Sequence, residues 1–148
     1  MTGASECLIC QQEQAAPSAQ LFLDAEWGAT VIPGFDVPGW INLRLRRHAV
    51  GLPSLTAGEL ASFGRHARDV VCAVREVTGS VATYTMIFGE AHPHFHALIT
   101  PRTEDIPAER RTGDILKWRL DHADTAAALA LLPALRKAYQ AFAAETLP

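Results

Sequence analysis

Residues 41–46 alternate between apolar and polar side chains, which predicts a half-buried β-strand. The polar face of this strand consists of Asn42, Arg44 and Arg46, and we expect its arginines to be solvated. Two short apolar runs, residues 21–23 and 30–32, flank a turn-forming segment and predict a hairpin. Sequences rich in strand-forming residues predict two further strands, at residues 81–88 and 95–100.

A longer stretch has the 3.6-residue spacing of an amphipathic helix. Thr56 and Glu59 have the spacing of a capping box at its start, and Gly79 stands where the helix should end. We expect one face of this central helix to be buried, and the residues of that face are Leu60, Phe63, Ala67, Val70, Val74 and Val77.

The C-terminal part of the chain predicts one more helix. Residues 124–145 are rich in alanine and leucine, and we expect Pro133 to kink or split the helix that they form. Strands around one central helix, followed by a helical appendix, predict an α+β fold. The length of 148 residues suits a single domain that covers residues 1–148.

Composition and charge indicate a globular protein and disfavour some kinds of binding partner. The chain is 49% hydrophobic and 20% charged, as ordinary globular proteins are, and its formal net charge is −3. This charge disfavours binding to a nucleic acid polymer or to an anionic membrane surface. No apolar run approaches the roughly 20 residues of a membrane span, and the first residues lack the features of a secretory leader. The expected compartment is therefore the cytoplasm, where thiols stay reduced.

Three of the six histidines lie within five residues of one another: His92, His94 and His96. Alternate residues of a strand share a face, so the three imidazoles would project from one side. They could be solvent-facing polar residues, the ligands of a three-histidine metal site, or a group in which one neutral imidazole attacks phosphorus. His66 and His122 lie outside this group, and we expect them to be structural or surface residues.

Cys7 and Cys10 have the spacing of a zinc knuckle, but a tetrahedral zinc needs two further ligands. The pair could also be two unligated thiols. A thioredoxin-like redox motif is disfavoured because no helix obviously begins at Cys7 and no βαβ unit surrounds it. The third cysteine, Cys72, stands alone, so the chain has no closed disulfide framework.

The histidine cluster and the apolar residues after it resemble the motif of the histidine triad (HIT) family of nucleotide hydrolases and transferases. Four other segments resemble family motifs in the same order: residues 37–43, 45–48, 56–78 and 99–102. The resemblance covers roughly residues 5–110 and leaves a C-terminal helical extension, at about residues 112–148, outside it. It implies a HIT-like antiparallel sheet with a central helix, and a homodimer.

The same resemblance implies a role for each histidine. In that family the middle histidine is the nucleophile, which implies that His94 attacks the α-phosphorus of a nucleotide and forms a nucleotidyl-histidine. His96 would hydrogen-bond phosphate oxygens or the leaving group. Dinucleoside polyphosphates and nucleoside phosphoramidates are the implied substrates. The zinc-containing branches, and the related galactose-1-phosphate uridylyltransferases, imply a structural zinc held by Cys7, Cys10, His48 and His92.

Substrate-binding residues are expected near the same strand. The candidates are Trp40 for base stacking, Asp36 for the ribose, the backbone at Gly89 for phosphate, and Arg102 for distal phosphates. Glu90 departs from the family pattern, because a carboxylate repels polyphosphate unless it points away or pairs with an arginine. Two alternative functions are a nucleotide-binding or regulatory module without turnover, and a metal-dependent enzyme that uses the three histidines as ligands.

Overall fold

Five strands form one antiparallel sheet in this computed structural model, which describes residues 5–147. The strands are β1 (Gln20–Leu23), β2 (Trp27–Thr30), β3 (Ile41–Leu45), β4 (Ala82–Met86) and β5 (His96–Arg102). Their order across the sheet is β1-β2-β3-β5-β4. Strands β3, β4 and β5 confirm the strands predicted at residues 41–46, 81–88 and 95–100. Residues 1–4, on which the expectation about a secretory leader partly rests, lie outside the described residues.

A tight turn at Asp24 joins β1 to β2. The Oδ1 atom of Asp24 accepts hydrogen bonds from the backbone N–H groups of Glu26, at 2.9 Å, and Trp27, at 2.7 Å. Because this side chain closes the turn locally, β2 begins at Trp27, before the apolar run at residues 30–32. The predicted hairpin is therefore present, but its second strand starts earlier in the chain.

The helices are α1 (Leu8–Gln11), α2 (Ala57–Thr78), α3 (Arg119–His122) and α4 (Thr125–Thr146). The capping box of α2 is confirmed, since Thr56 Oγ1 accepts the Glu59 N–H and the Glu59 carboxylate accepts the Thr56 N–H. Gly79 ends the helix in the left-handed conformation, with a φ of 67°. Helices α2 and α4 pack against each other and against one face of the sheet, which confirms the α+β fold.

The buried face of α2 differs in part from the predicted one. Val70 and Val74 are fully buried, and Phe63, Ala67 and Val77 are partly buried against the core. Leu60, in contrast, is 46% exposed. At 3.6 residues per turn it lies roughly 80° around the helix axis from Val70. Its side chain is therefore at the margin of the face that the sheet and α4 cover.

Helix α4 belongs to the main hydrophobic core. Its Leu132 and Leu135 are fully buried in one cluster with Val70 and Val74 of α2. Pro133 does not split the helix, which continues from Thr125 to Thr146. Pro133 removes one helical hydrogen bond, and the buried leucines on either side of it hold the two halves in place. Among the described residues, no helix is both long and apolar enough to cross a bilayer.

The polar face of β3 is covered by other parts of the chain. Ile9 of the N-terminal segment and Ile115 of the segment before α3 belong to two further hydrophobic clusters, on the side of the sheet away from α2. Under this cover Asn42 is 1% exposed and Arg44 is 0% exposed. The expectation that Arg44 is solvated is therefore wrong, because the N-terminal segment folds over it and its Glu13 pairs with the guanidinium.

Candidate functional site

Two cysteines and two histidines bring four donor atoms together in what we call the Cys–His cluster. The Sγ atoms of Cys7 and Cys10 and one ring nitrogen each of His48 and His94 all lie within 4.8 Å of one another. Cys7 caps α1, and its sulfur accepts the backbone N–H of Cys10 at 3.4 Å. A short helix does begin directly after Cys7, and it turns both sulfurs toward the sheet.

Distances within the Cys–His cluster suit a tetrahedral zinc. Nδ1 of His94 lies 3.5 Å from Sγ of Cys7 and 3.3 Å from Sγ of Cys10. Nδ1 of His48 lies 3.1 Å from Sγ of Cys10. Zinc bonds of about 2.3 Å to sulfur and about 2.0 Å to nitrogen, at tetrahedral angles, place such atoms about 3.5 Å apart. The donor set of two cysteines and two histidines therefore fits structural zinc in chemistry and in spacing.

A second contact orients the ring of His94. Its Nε2 lies 2.6 Å from the carbonyl oxygen of Leu45. A carbonyl oxygen only accepts, so Nε2 carries the proton and the lone pair of Nδ1 faces the two sulfurs. The side chain has no exposed surface, and burial lowers the pKa of His94 from 6.5 to about 4. His94 is therefore a neutral nitrogen donor at neutral pH, with both ring nitrogens engaged.

A buried arginine, Arg44, lies near the Cys10 thiol. Burial, together with the adjacent Cys7, raises the pKa of the Cys10 thiol to about 11, and the positive charge of Arg44 opposes this rise. The Arg44 guanidinium donates to Glu13 at 2.8 Å. It also lies over Gly28, where a Cβ atom would come within 2.8 Å of it. A cation in this position favours the thiolate form that metal binding requires.

His92 was the histidine expected to complete a zinc site, but in the structure the ring of His94 lies with the other three donors. The backbone explains the difference, since Val50 and His94 form a β-bridge. This pairing sets His94 beside the segment that carries His48. His92 precedes Pro93, which lacks a backbone N–H, and it lies before the paired residues. Of the three clustered histidines, only His94 contributes to the Cys–His cluster, so within residues 5–147 they form no metal site of their own.

His96 has an available ring nitrogen. Its Nδ1 lies 2.7 Å from the carbonyl oxygen of His94 and must therefore carry the proton. This leaves the lone pair on Nε2. Burial lowers the pKa of His96, so the ring is neutral at neutral pH. The His96 side chain is partly exposed. His94, the histidine that was expected to be the nucleophile, is buried.

His96 lines a cavity of about 310 Å³, which we call the His96 cavity. His92, Gly89 and Glu90 line it as well. Most of the remaining lining is apolar and consists of Phe35, Met86, Phe88, Ala91, Leu98 and Leu116. The cavity thus offers the imidazoles of His92 and His96 and a largely apolar wall, with a carboxylate at its edge.

Asp36, expected to contact a ribose, is instead part of the framework. It is buried, and its Oδ1 accepts the backbone N–H of Gly34 at 3.1 Å. Its Oδ2 accepts a hydrogen bond from the Thr125 hydroxyl, and its carbonyl oxygen accepts the N–H of Asp124 at 2.9 Å. Asp36 therefore anchors the start of α4, and both of its carboxylate oxygens are engaged.

Trp40 lies away from His96. It is 1% exposed and lines a different cavity, of about 430 Å³, together with Trp118 and His122. His122 stacks on Trp118 with ring centroids 3.5 Å apart. Trp40 precedes β3, at the end of the strand away from the Cys–His cluster, which explains why it does not face the His96 cavity.

Two substrate-binding candidates remain, Gly89 and Arg102, and only one of them lies at the His96 cavity. Gly89 lines the His96 cavity and adopts a φ of 71°, a conformation that glycine allows without strain. Arg102 ends β5, and six residues of strand separate it from His96 by roughly 20 Å. Its Nε is buried without a hydrogen-bond partner in the described part of the chain. The structure therefore brings Gly89, but not Arg102, to the cavity.

All four residues of the Cys–His cluster were candidate site residues in the sequence. No sequence signal indicated a role for Asn42. This residue lines a small recess beside His96, although the alternation of β3 placed it on a polar face expected to be solvated. Only the segments that cover β3 make it an interior residue.

No protein-family model matches the sequence, and no curated protein is significantly similar to it. The fold, however, is similar to solved histidine triad proteins. A hypothetical histidine triad nucleotide-binding protein from Sulfolobus tokodaii superposes with a TM-score of 0.71 at 12% identity, covering 91% of this chain and 93% of that one. A zinc-bound histidine triad family protein from Mycobacterium smegmatis gives a TM-score of 0.68 at 18% identity, covering 97% and 99%.

A larger enzyme contains the same fold. A uridylyltransferase structure superposes with a TM-score of 0.68 at 20% identity, covering 91% of this chain and 46% of the enzyme. The chain thus spans less than half the length of that protein. At these identities the similarity shows a shared fold, and the HIT-like fold expected from the sequence is confirmed.

Proposed function

We propose that this chain, which has the fold of histidine triad proteins, is a nucleotide hydrolase or nucleotidyl transferase that uses His96 as its nucleophile. The observation that carries the proposal is the 2.7 Å contact between Nδ1 of His96 and the carbonyl oxygen of His94. It holds the proton on Nδ1 and leaves Nε2 with a lone pair. The lone pair lies on a partly exposed side chain that lines a cavity. A neutral, oriented imidazole is what attack on phosphorus requires.

The proposed reaction has two displacements. Nε2 of His96 bonds to the α-phosphorus, and the bond to the leaving group breaks with its electron pair going to that group, which takes a proton from solvent. Water or another acceptor then bonds to phosphorus, loses a proton to solvent and releases His96 with its lone pair restored. Dinucleoside polyphosphates and nucleoside phosphoramidates are the substrate classes that we propose.

We propose that Cys7, Cys10, His48 and His94 would hold a structural zinc. When bound, zinc would supply folding free energy and tie the N-terminal segment to the residues that lead into β5. The chain's own contribution is orientation, because the residue whose ring belongs to the Cys–His cluster also offers its carbonyl oxygen to His96. A fixed His94 therefore fixes the tautomer and direction of the nucleophile.

Two further features belong to the proposal. A cytoplasmic location is supported by the three free cysteines, which suit a reducing compartment.

A homodimer is supported by β4, which stands at the edge of the sheet with one side unpaired among the described residues.

Mass spectrometry after acid quench tests the nucleophile. The zinc-loaded chain, mixed with a nucleoside phosphoramidate, should carry a nucleoside monophosphate adduct on the peptide that contains residues 92–96. His96→Ala should carry no adduct and lose several powers of ten in turnover, as removal of a covalent nucleophile does. His122→Ala, which changes a histidine outside the cavity, is the matched control and should keep both. Undiminished turnover in His96→Ala would overturn the proposal.

A nucleotide-binding role without turnover is the second candidate. It is favoured by the lining of the His96 cavity, where the described residues include the carboxylate of Glu90 but no lysine or arginine. Transfer at phosphorus needs neutralisation of the developing negative charge. Binding of nucleotide with neither adduct nor product in the same experiment would support this second function.

A further inference from the structure

Asn42 is a buried amide, and one of its polar atoms has no partner among the residues that the structure describes. It lies on β3, directly across from Leu98 on β5, and is 1% exposed. Its Nδ2 makes no hydrogen bond within residues 5–147. Thr30, its neighbour across the β2–β3 pair, has a buried hydroxyl that is likewise unpaired there. A buried donor without an acceptor destabilises a fold, so this amide calls for an acceptor from outside the chain.

The unpaired amide faces the proposed reaction centre. Asn42 lines a recess of about 40 Å³ together with His96. The recess shares four lining residues with the larger His96 cavity: Phe35, His92, His96 and Leu98. A ligand bound at His96 therefore lies within reach of the recess, and the small volume admits the edge of a ring but not a whole ring.

The other walls of the recess select against a phosphate. They are apolar and include Leu8, Ile9 and Ile32. No lysine or arginine occurs among the described residues that line the recess. A phosphate would lose its hydration there without gaining a cation, whereas a neutral planar ring would keep its apolar faces against apolar walls.

We propose that Asn42 is a specificity-determining residue that hydrogen-bonds the nucleobase of the substrate. This assignment rests on the proposed function. The edge of the base enters the recess, and Nδ2 of Asn42 donates to a carbonyl oxygen or ring nitrogen on that edge. A site built to hydrogen-bond its substrate rejects analogues that lack the matching group much more strongly than an apolar pocket does. The ligand class is thus a nucleotide with a hydrogen-bond acceptor on the inserted edge of its base.

The test compares the wild-type chain with Asn42→Leu, which keeps the size of the side chain and removes the amide. Thr100→Val is the matched control, because the Thr100 hydroxyl is also buried and has no partner within residues 5–147, but lines neither the recess nor the cavity. Affinities are measured by calorimetry for the 5′-monophosphates of adenosine, guanosine, cytidine and uridine. Turnover is measured for the four matching phosphoramidates.

We expect the wild type and Thr100→Val to prefer one base at least about tenfold, and Asn42→Leu to reduce that preference to about threefold or less. The denaturant midpoint of Asn42→Leu should be unchanged or higher, because an unpaired buried amide has been removed. An unchanged base preference, or a wild type without one, would overturn the assignment. So would a lower midpoint in Asn42→Leu, which would make the amide a structural group.

The two proposals fail in different ways. If no adduct or turnover occurs but the base preference in binding disappears in Asn42→Leu, the catalytic proposal fails and the role of Asn42 stands. If turnover depends on His96 but base preference does not depend on Asn42, the catalytic proposal stands and the role of Asn42 fails. Absence of all nucleotide binding by the wild type overturns both.

Discussion

The carbonyl oxygen of His94 accepts the Nδ1 hydrogen of His96 at 2.7 Å. The His94 ring faces the sulfurs of Cys7 and Cys10, so one residue belongs to the Cys–His cluster through its side chain and to the proposed reaction centre through its backbone. Any shift of His94 would therefore rotate His96. Through this link, a metal held by the Cys–His cluster would position His96 without touching a substrate.

Zinc retention should distinguish His94 from His92. His94→Ala removes a donor from the Cys–His cluster, and we expect its zinc content to fall from about one per chain to near zero after dialysis against a weak chelator. His92→Ala, the matched control two residues away, should keep its zinc because His92 is outside the cluster. Elemental analysis of both purified variants gives the answer. Loss of zinc in His92→Ala with retention in His94→Ala would contradict this ligand set.

Stability should depend on the C-terminal helix. Leu135→Ala creates a cavity in the main core and should lower the free energy of unfolding by about 2–5 kcal/mol. Leu60→Ala makes the same change at a largely exposed position and should cost much less, about 1 kcal/mol or below. Urea titrations followed by circular dichroism measure both values. Equal losses of unfolding free energy in the two variants would show that Leu135 of α4 contributes no more to stability than Leu60 at the margin of α2.

Asp36 should matter for folding rather than for substrate affinity. Asp36→Ala leaves the Gly34 N–H and the Thr125 hydroxyl without their acceptor, and we expect a loss of about 1–3 kcal/mol in the free energy of unfolding. KM for a nucleotide substrate should stay within about twofold, since both carboxylate oxygens are used inside the protein. Asp121→Ala, at an exposed aspartate, is the control for the charge change. A large rise in KM without loss of stability would restore Asp36 as a ribose contact.

His66 should make stability depend on pH. Burial lowers the pKa of His66 below 6.5, and this effect outweighs the attraction of Asp24, whose Oδ2 lies 3.1 Å from Nε2. The unfolded chain therefore binds a proton more readily, so stability is full above 6.5 and falls as the pH drops from there toward the folded pKa.

The measurement for His66 is the free energy of unfolding at about pH 7.5 and about pH 5.5. In His66→Gln the loss on acidification should be smaller than in the wild type. In His122→Gln, at an exposed histidine, it should match the wild type. A larger loss in His66→Gln would mean that the charged form of His66 is the one favoured in the folded chain.

The sequence by itself determined the local elements of this protein. The capping box at Thr56 and Glu59, the glycine at position 79 and the alternation in β3 depend on residues close in sequence, and the structure has each of them. The sequence by itself also contains the cysteines and histidines that a metal site needs. Short-range backbone sterics and local hydrogen bonds set these features, so a pattern of residues is enough to predict them.

Only the tertiary structure decided which histidine meets which group. Residues 92, 94 and 96 are equivalent in the alternating pattern, and the bridge between Val50 and His94 selects one of them for the Cys–His cluster. The burial of Asn42 and Arg44 is a second case, because their cover comes from segments distant in sequence. Contacts of this kind depend on how the whole chain packs. A polar residue on a strand becomes an interior, site-forming group only when another segment folds over it.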